Sequence, residues 1–422
     1  MLNAISFNDR DNFNRKPFAC NLIKLLESDC DVFPLAINGA WGTGKTEFCI
    51  KTVHLINTEY SDKLVAGYFD AFSEDHFNDP LTSLLAILYR SFVKSEDKAK
   101  ILTKISKVIL TVGQKIISDS YPMAGELISE IKKLKEETVK ENFVNRVNIE
   151  SRITELRNLI DEISHNKTFV LFIDELDRCR PDFALHLLEI VKHIFNAPRL
   201  KIIFVINIEQ LAEIVKHNYG NNEITSRKYL DKFFHIQLRI PNFSIDAYGK
   251  KFSNSIKYFE IELERLGLLD FPLFKNDRYS QSNNSLVLKL LNELIEFRNL
   301  SLRDIEKLTK HLYIYATFTS CNVDQYLGFK LITAYAIFQF TFNEQLYVNY
   351  QNQNVNFSSS HDILINEPPD GKIYKSMRYV LYELLYGNKD EVIADFSGSY
   401  TLPERRSFLI NTFSSLESLI NN

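Results

Sequence analysis

The sequence predicts an α/β fold in which helices flank a parallel β-sheet, and three stretches of the chain support this prediction. A glycine-containing loop at residues 39–46 follows an apolar run of strand length at residues 32–37 and precedes a mostly apolar stretch of helical length. Residues 169–173 are apolar without interruption, and residues 200–206 are nearly so. Strands that are buried on both faces, as in a parallel sheet, have this composition.

The loop at residues 39–46 fits the pattern G-x-x-x-x-G-K-[ST] of the phosphate-binding, or Walker A, loop. Glycines let the backbone adopt positive φ and approach an anion closely, so that successive N–H groups face one concavity. Lys45 is expected to contact the β- and γ-phosphates, and the Thr46 hydroxyl is expected to ligate Mg²⁺. The following helix adds its positive N-terminal end. The predicted nucleotide-binding residues are Gly39, Ala40, Trp41, Gly42, Thr43, Gly44, Lys45, Thr46 and Glu47.

Acidic residues stand at the end of the apolar run at residues 169–173. Asp174 and Glu175 follow it directly, and Asp177 comes two positions later. Because α/β sheets bind their ligands at the carboxyl ends of strands, we expect these carboxylates beside the phosphate loop. Asp174 is the expected Mg²⁺ ligand, and Glu175 is the expected acceptor of a proton from the attacking water. Asp177 can share either role, and the sequence does not divide the roles further.

Other polar residues are candidates for contacts with the γ-phosphate. Asn207 ends the run at residues 200–206, where it can contact the γ-phosphate, orient water, or merely cap the next helix. Phosphoryl transfer is often assisted by an arginine, from the same chain or a neighbouring copy. Arg178, Arg227 and Arg303 are candidates for this arginine, and each is equally compatible with a surface or salt-bridged position. The expected catalytic residues are therefore Glu175, Lys45, Asn207 and, as a candidate, Arg303.

The order of these features divides the chain into four parts. Residues 1–92 and 167–245 are predicted to form the two halves of the nucleotide-binding core. Residues 93–166 are predicted to be a helical insert, in which lysines between residues 94 and 115 surround an apolar helical face. This basic helix can bind nucleic acid, a membrane surface or a protein, or it can pack on its own domain. Residues 246–422 are predicted to be a helical lid and partner-binding region.

One helix start in this C-terminal region has a specific signature. Ser301 is a favourable N-cap residue, and Asp304 follows three positions later, before an apolar helical pattern. This spacing resembles a capping box, in which two side chains satisfy the free amide groups of the first turn reciprocally. A helix is therefore predicted to begin at this point.

The overall composition excludes several classes of protein. The formal charge of −4 and the pI near 6.2 give no overall electrostatic attraction to nucleic acid. Five scattered cysteines without C-x-x-C spacing argue against a zinc site or a disulfide framework. A signal peptide is not expected, because the first ten residues contain no apolar core. The scattered cysteines also favour the reducing cytoplasm as the compartment. No apolar run has the length of a membrane span, so no transmembrane segment is predicted.

Several of these motifs together resemble the KAP family of P-loop NTPases. The resemblance covers roughly residues 9–310. Tyr-Phe-Asp-Ala-Phe at residues 68–72 is one of the similar segments, although Phe72 stands where the family usually carries Trp. The other segments are Trp-Gly-Thr-Gly-Lys-Thr at 41–46, Phe-Ile-Asp-Glu-Leu-Asp-Arg-Cys at 172–179, Tyr-Leu-Asp-Lys-Phe at 229–233 and Leu-Arg-Asp-Ile-Glu-Lys-Leu at 302–308.

The resemblance implies an ASCE-type sheet, in which an additional strand lies between the two strands that carry the nucleotide site. It also implies ATP as the nucleotide. Lys45, Asp174 and Glu175 match the family's site residues position by position, whereas Arg303 matches only as a sensor-like candidate. Prokaryotic members of the family are associated with phage exclusion and defence, and they often carry membrane helices between the two motifs. The lysine-rich insert of this chain departs from that pattern.

The function expected from the motifs and the resemblance is Mg²⁺-dependent ATP hydrolysis. The hydrolysis would drive a conformational change, within a prokaryotic anti-phage defence complex that contains further copies of the chain or a partner effector protein. One alternative is a nucleotide-dependent switch or scaffold that recruits an effector and hydrolyses ATP slowly. Another is an ATPase stimulated by nucleic acid, for which only the lysines of residues 94–115 argue.

Overall fold

The computed structural model describes two compact units, Met1–Pro241 and Asn242–Asn422. No described helix combines the length and the apolarity that crossing a membrane requires. The predicted insert at residues 93–166, with its basic helix, lies outside the described residues. These are residues 5–92, 167–194, 199–245, 251–275, 285–318, 327–343 and 402–421, apart from 29, 31, 78, 79, 221, 222 and 235, together with 380, 381, 384 and 385.

The first unit is built on a five-stranded parallel sheet, which confirms the predicted fold class. Its strand order is β2-β3-β4-β1-β5, so β4 lies between β3 and β1 as the ASCE-type arrangement implies. The predicted first strand, residues 32–37, is displaced toward its C-terminal end, because Pro34 lacks the amide hydrogen that a strand ladder needs. The strands are β1 (Leu35–Asn38), β2 (Leu64–Asp70), β3 (Thr168–Asp174), β4 (Leu200–Ile206) and β5 (Ile236–Arg239).

Helices cover both faces of this sheet, as the apolar strands predicted. Phe169, Leu171 and Ile173 of β3 face one apolar cluster, whereas Val170 and Phe172 face the other. This alternation follows from the two-residue period of a strand. The first cluster is formed with α4 (Pro80–Phe92), α5 (Pro181–Ile194) and α6 (Ile208–Tyr219), and the second with α1 (Lys16–Glu27) and α2 (Lys45–Glu59). Two shorter helices are α3 (Ala71–Glu74) and α7 (Glu223–Leu230).

The second unit is mainly helical and has its own apolar core. Its central helix is buried on all sides: only its last residue and Phe340 are even partly exposed among the residues from Leu327 onward. Such a helix needs no amphipathic pattern, since every face packs against protein. The described helices are α8 (Asn254–Arg265), α9 (Leu286–Phe297), α10 (Leu302–Phe318), α11 (Leu327–Phe342) and α12 (Leu402–Asn421), of which α11 is the central one.

The predicted capping box is confirmed at the start of α10. The Ser301 amide donates to Asp304 Oδ2 over 3.0 Å, and the Asp304 amide donates to Ser301 Oγ over 3.3 Å. A second donor, the Ser301 hydroxyl, lies 2.7 Å from the same carboxylate oxygen. Two amide groups that lack helical partners are therefore satisfied by side chains.

The sequence prediction missed a small hairpin at the start of the second unit. Strands β6 (Phe243–Ile245) and β7 (Lys251–Ser253) form an antiparallel pair. No strand was predicted at β6, and β7 lies where helical structure was predicted, from residue 246 onward. Each strand has three residues, which is too short for alternation of polar and apolar residues to be recognised. The Lys251 ammonium lies 3.6 Å from the centre of the Phe243 ring, a contact between the two strands that also has no local sequence signal.

Candidate nucleotide-binding site

The phosphate loop connects β1 to α2, as its sequence predicted. Gly42 and Gly44 have φ angles of 71° and 78°, a backbone conformation that glycine adopts without steric cost. Gly44 is also the N-cap of α2, so the helix begins within the loop. The Gly39 amide donates to the Ile206 carbonyl of β4 over 3.1 Å, which ties the start of the loop to the neighbouring strand. The backbone thus has the shape that places N–H groups around an anion.

Lys45 holds its charge inside the loop. The ammonium donates to the Gly39 carbonyl over 2.6 Å and to the Ala40 carbonyl over 3.1 Å. The residue is only 8% exposed, and burial lowers the pKa of Lys45, while the carboxylates of Asp177 and Asp174 oppose this shift. Ammonium donors rotate freely about their stem, so the same group is placed to turn toward phosphate oxygens.

Asp174 is the last residue of β3 and is 1% exposed. Its carboxylate accepts hydrogen bonds from the Tyr68 hydroxyl over 3.1 Å and from the Glu175 amide over 2.8 Å. The side chain of Thr46 lies close enough to this carboxylate to lower its pKa. Burial raises the pKa of Asp174, and these hydrogen bonds partly offset the shift by favouring the charged form.

The contact between Thr46 and Asp174 tests whether these residues fit Mg²⁺. A hydroxyl and a carboxylate are hard oxygen ligands, and the influence of Thr46 on the pKa of Asp174 shows that the two side chains are neighbours. Within the described residues, no three histidine, cysteine, aspartate or glutamate side chains form a metal cage. Mg²⁺ in nucleotide sites is commonly bound by one or two protein ligands together with phosphates and water. Thr46 and Asp174 fit that kind of site.

Glu175 has an unusual backbone and an ion-paired side chain. Its φ of 59° and ψ of 23° lie in the left-handed region, which is uncommon for residues other than glycine. Its carboxylate lies 3.0 Å from the Arg178 guanidinium. Burial raises the pKa of Glu175, and Arg178 opposes that shift. Of the three candidate arginines, Arg178 is therefore engaged with the predicted base of its own chain.

A hydrogen bond links the phosphate loop directly to the turn after β3. The Trp41 indole N–H donates to Asp177 Oδ2 over 2.7 Å. Asp177 is buried, whereas Trp41 is 44% exposed. The sequence suggested that Asp177 could bind the metal or accept a proton. The observed hydrogen bond shows a different role, because the Asp177 carboxylate holds the phosphate loop through Trp41.

Asn207 follows β4, which lies between β1, the strand before the phosphate loop, and β3, the strand that ends at Asp174. Its preceding residue, Ile206, is paired with Asn38 of β1, and Val205 is paired with Asp174 of β3. Asn207 occupies the N-cap position of α6, but its side chain makes no capping bond. The amide of the first helical residue, Ile208, donates to Asn38 Oδ1 over 3.1 Å. The alternative that the Asn207 side chain merely caps the helix is therefore wrong.

The amide oxygen of Asn207 has a further property. The residue is 8% exposed, and Oδ1 has no hydrogen-bond partner in the part of the chain that the structure describes. Buried acceptors normally have a partner, and an unsatisfied one needs an explanation. A ligand or an ordered water at the carboxyl edge of the sheet would supply the missing donor.

Three other predicted residues make different contacts. The Glu47 carboxylate accepts two hydrogen bonds of 3.1 Å from Arg10 and lies 2.6 Å from the Lys51 ammonium. Arg227 is exposed on α7, and its guanidinium lies 4.0 Å from a carboxylate on α6. Arg303 is exposed in the first turn of α10, in the second unit. The predicted roles of these residues in the nucleotide site remain predictions.

Sequence analysis did not assign three residues that support the site. The Arg15 guanidinium donates to the Thr43 and Gly44 carbonyls over 2.8 and 3.1 Å, and Tyr68 and Asn38 hold Asp174 and α6 as described above. Arg15 is 28 and 29 positions from the two residues that it contacts, and no local sequence pattern predicts a contact at that separation. The segment at residues 68–72 had stood out by its family resemblance, but nothing in its pattern showed that the tyrosine reaches β3.

A phosphate loop after the first strand of an ASCE-type parallel sheet, with a carboxylate at the end of β3, defines a P-loop NTPase. The sequence profile of the KAP family P-loop domain matches residues 15–318. The chain therefore belongs to the KAP family of P-loop NTPases, in agreement with the resemblance carried by its motifs.

Comparison with other known proteins adds little to this assignment. No curated protein matches the sequence. Similar solved structures include AMPPCP-bound DnaA from Aquifex aeolicus, with 12% identity, a TM-score of 0.33 and coverage of 99% of this chain and 92% of that one. The ORC2 protein of Aeropyrum pernix, in ADPNP–ADP complexes, has 12% identity, a TM-score of 0.32 and coverage of 96% and 95%. PCH-2 of C. elegans has 14% identity, a TM-score of 0.28 and coverage of 70% of this chain and 58% of that one.

Proposed function

We propose that the protein is a Mg²⁺-dependent ATPase that couples hydrolysis to a conformational change. The observation that carries this proposal is the position of Asp174 at the end of β3, buried and close enough to Thr46 of the phosphate loop for Thr46 to lower its pKa. It brings the two expected Mg²⁺ ligands together beside the Lys45 ammonium, and Glu175 follows directly in the chain. Membership of the KAP family supports nucleotide binding, and the choice of ATP rests on the family resemblance.

In the proposed reaction, the loop amides and Lys45 bind the phosphates of ATP. Mg²⁺, held by Thr46 and Asp174, would neutralise negative charge on the β- and γ-phosphates. Water attacks the γ-phosphorus, the bond from phosphorus to the bridging oxygen breaks, and the Glu175 carboxylate accepts the proton of the water. The Asn207 amide would orient that water or contact the γ-phosphate.

Phosphate release and ATP binding by the whole chain test this proposal, with Mg²⁺ present or chelated. We expect Lys45→Ala to weaken ATP binding and to abolish turnover, because the loop loses its cation. Glu175→Gln should still bind ATP but turn over about 10²–10⁴-fold more slowly, the range typical of a lost general base. Glu213→Gln, on the exposed side of α6, is the matched control. A Glu175→Gln variant that turns over like the wild type would contradict the proposal.

A nucleotide-dependent switch or scaffold is the second candidate, and the ion pair between Glu175 and Arg178 favours it. The Arg178 guanidinium, 3.0 Å away, opposes the rise in the pKa of Glu175 that burial causes and occupies one carboxylate oxygen, so turnover would be faster once the pair separates. Tight ATP binding by the wild type with negligible phosphate release would identify the switch. Release that depends on Glu175 would identify the enzyme.

The finer expectations rest on the family resemblance and are proposals as well. We propose that the protein is cytoplasmic and acts with further copies of itself or with an effector protein, in an anti-phage complex. If an arginine such as Arg303 acts on a neighbouring copy, the rate per subunit should rise with protein concentration. Stimulation of the rate by DNA or RNA would support the nucleic-acid alternative.

A further inference from the structure

The Arg15 guanidinium lies buried behind the phosphate loop. It is 7% exposed, and its two terminal nitrogens donate to consecutive carbonyls of the loop, those of Thr43 and Gly44. A planar guanidinium presents a fixed fork of donors that suits two neighbouring acceptors. A lysine ammonium has no such fork, and a neutral residue would bring no charge.

The contacts that hold Arg15 in place come from its own segment. The Asp11 carboxylate accepts from the Arg15 and Lys16 amides, over 2.8 Å each, and so fixes the start of α1. The Phe13 ring lies 4.9 Å from the guanidinium carbon. Burial lowers the pKa of Arg15 to about 10, so the group is still charged at neutral pH. A buried charge is unfavourable for folding unless it is paired and hydrogen-bonded, and the hydrogen bonds of Arg15 go to the phosphate loop.

The two carbonyls that Arg15 contacts belong to peptide groups whose N–H groups are those of Gly44 and Lys45. In a phosphate loop, such N–H groups bind the phosphate oxygens. A hydrogen bond to the carbonyl of a peptide polarises that peptide and strengthens its N–H as a donor. Arg15 thus stands on the opposite side of the same peptide groups from the anion, and it contributes positive charge there in addition to Lys45.

We propose that Arg15 is a positioning residue for polyphosphate binding: it fixes and polarises the Thr43 and Gly44 peptide groups, so that the affinity of the loop for any diphosphate or triphosphate depends on it. The base of the nucleotide plays no part in this effect. The inference rests on the proposed function only in requiring that the loop binds phosphates, and it does not require hydrolysis.

The affinities of the full chain for ADP and for inorganic pyrophosphate, measured by calorimetry, test the inference. We expect Arg15→Lys to lose about 10- to 100-fold in affinity for both ligands, because the charge remains but the forked contact is lost. Lys16→Gln removes a positive charge one position away, where the side chain does not touch the loop, and it should stay within about twofold of the wild type.

Thermal unfolding without ligand separates this role from a purely structural one. A folded Arg15→Lys variant that melts earlier but binds pyrophosphate like the wild type would overturn the inference. An equal loss of affinity in Lys16→Gln would also overturn it, since the effect would then be one of general charge.

A measurement on the wild type decides the matter if Arg15→Lys does not fold. Hydrogen exchange should slow at residues 11–20 as well as at residues 39–49 when pyrophosphate binds, because the anion fixes the peptides that Arg15 holds. Pyrophosphate has no base, so protection of residues 11–20 cannot come from a base contact. Protection that is confined to residues 39–49 would overturn the inference.

The outcomes also separate this inference from the proposed function. Wild-type protein that binds pyrophosphate in an Arg15-dependent manner but does not hydrolyse ATP would refute the ATPase and leave the inference intact. Wild-type protein that hydrolyses ATP, with an Arg15→Lys variant of unchanged affinity, would refute only the inference. Failure of the wild type to bind ADP or pyrophosphate at all would refute both.

Discussion

The two units of the chain use buried polar side chains in different ways. In the first unit, Lys45, Asp174 and Asn207 are buried at one edge of the sheet, where Asn207 Oδ1 lacks a partner among the described residues. In the second unit, buried polar groups are spread over several helices: the Thr309 and Thr341 hydroxyls donate to carbonyls one turn earlier, over 3.0 and 2.7 Å, whereas the Thr333 hydroxyl has no hydrogen-bond partner among the described residues. The buried polar groups of the first unit thus gather at one place, where the proposed nucleotide would contact them, whereas those of the second unit are dispersed.

This difference predicts opposite effects of substitution. Burying polar or charged groups is unfavourable for folding, so groups kept at the sheet edge are expected to matter more for activity than for stability. In the second unit, packing and capping stabilise the fold, and substitutions there should lower the free energy of unfolding. Three substitutions, taken from the largest expected effect to the smallest, test the contrast.

Leu331→Ala in the central helix α11 should lower the free energy of unfolding by about 2–5 kcal/mol, the range for large-to-small changes in a core. Leu331 is fully buried, so the substitution leaves a cavity and loses apolar burial. Urea unfolding, followed by circular dichroism, measures the loss. The control Leu331→Met keeps the volume and should cost less than about 1.5 kcal/mol. Equal stabilities of the two variants would show that α11 is not enclosed.

Asn207→Ala at the sheet edge should lower kcat by about 10- to 100-fold, because the variant loses the amide proposed to orient water or contact the γ-phosphate. The change in the free energy of unfolding should stay within about 1 kcal/mol, since Oδ1 forms no hydrogen bond that could be broken. Phosphate release and urea unfolding are measured on the same preparation. Asn218→Ala, exposed on the same helix, should change neither quantity. A large loss of stability with normal turnover would reverse the contrast.

Ser301→Ala, at the start of α10, should lower the free energy of unfolding by about 1 kcal/mol, the typical value of an N-cap. The substitution removes the acceptor of the Asp304 amide and leaves that amide unsatisfied. Ser301→Thr keeps the hydroxyl and should recover most of the loss. If both variants are as stable as the wild type, the capping box contributes nothing measurable in this protein.

Most of the fold followed from local patterns in the sequence. The loop spacing predicted the junction of β1 and α2, and the uninterrupted apolar run of β3 predicted a strand covered on both faces. Both the loop and the strand depend on residues that are close together in the sequence, so spacing and composition patterns are enough to predict them. The hairpin of β6 and β7 was missed because three-residue strands carry no period.

The supporting contacts of the site could not be predicted, because they join distant parts of the chain. Trp41 and Asp177 are 136 positions apart, and Tyr68 and Asp174 are 106 apart. The residue types were visible, but their pairing depends on how the strands are ordered in the sheet. The position of Asn207 was expected from the end of its strand, whereas the lack of a partner for its amide oxygen among the described residues depends on packing that no local pattern records.

The hydrogen bond between Trp41 and Asp177 has a practical consequence. Trp41 is the single tryptophan of the chain, and it is 44% exposed at the phosphate loop. The fluorescence of an indole depends on the polarity of its surroundings and on its hydrogen bonds. Because Trp41 is the single tryptophan, the tryptophan fluorescence of this protein comes from one point of the candidate site. Nucleotide that displaces the loop or the Asp177 carboxylate would change that emission. Nucleotide binding can therefore be followed by the intrinsic fluorescence of Trp41, without any attached dye.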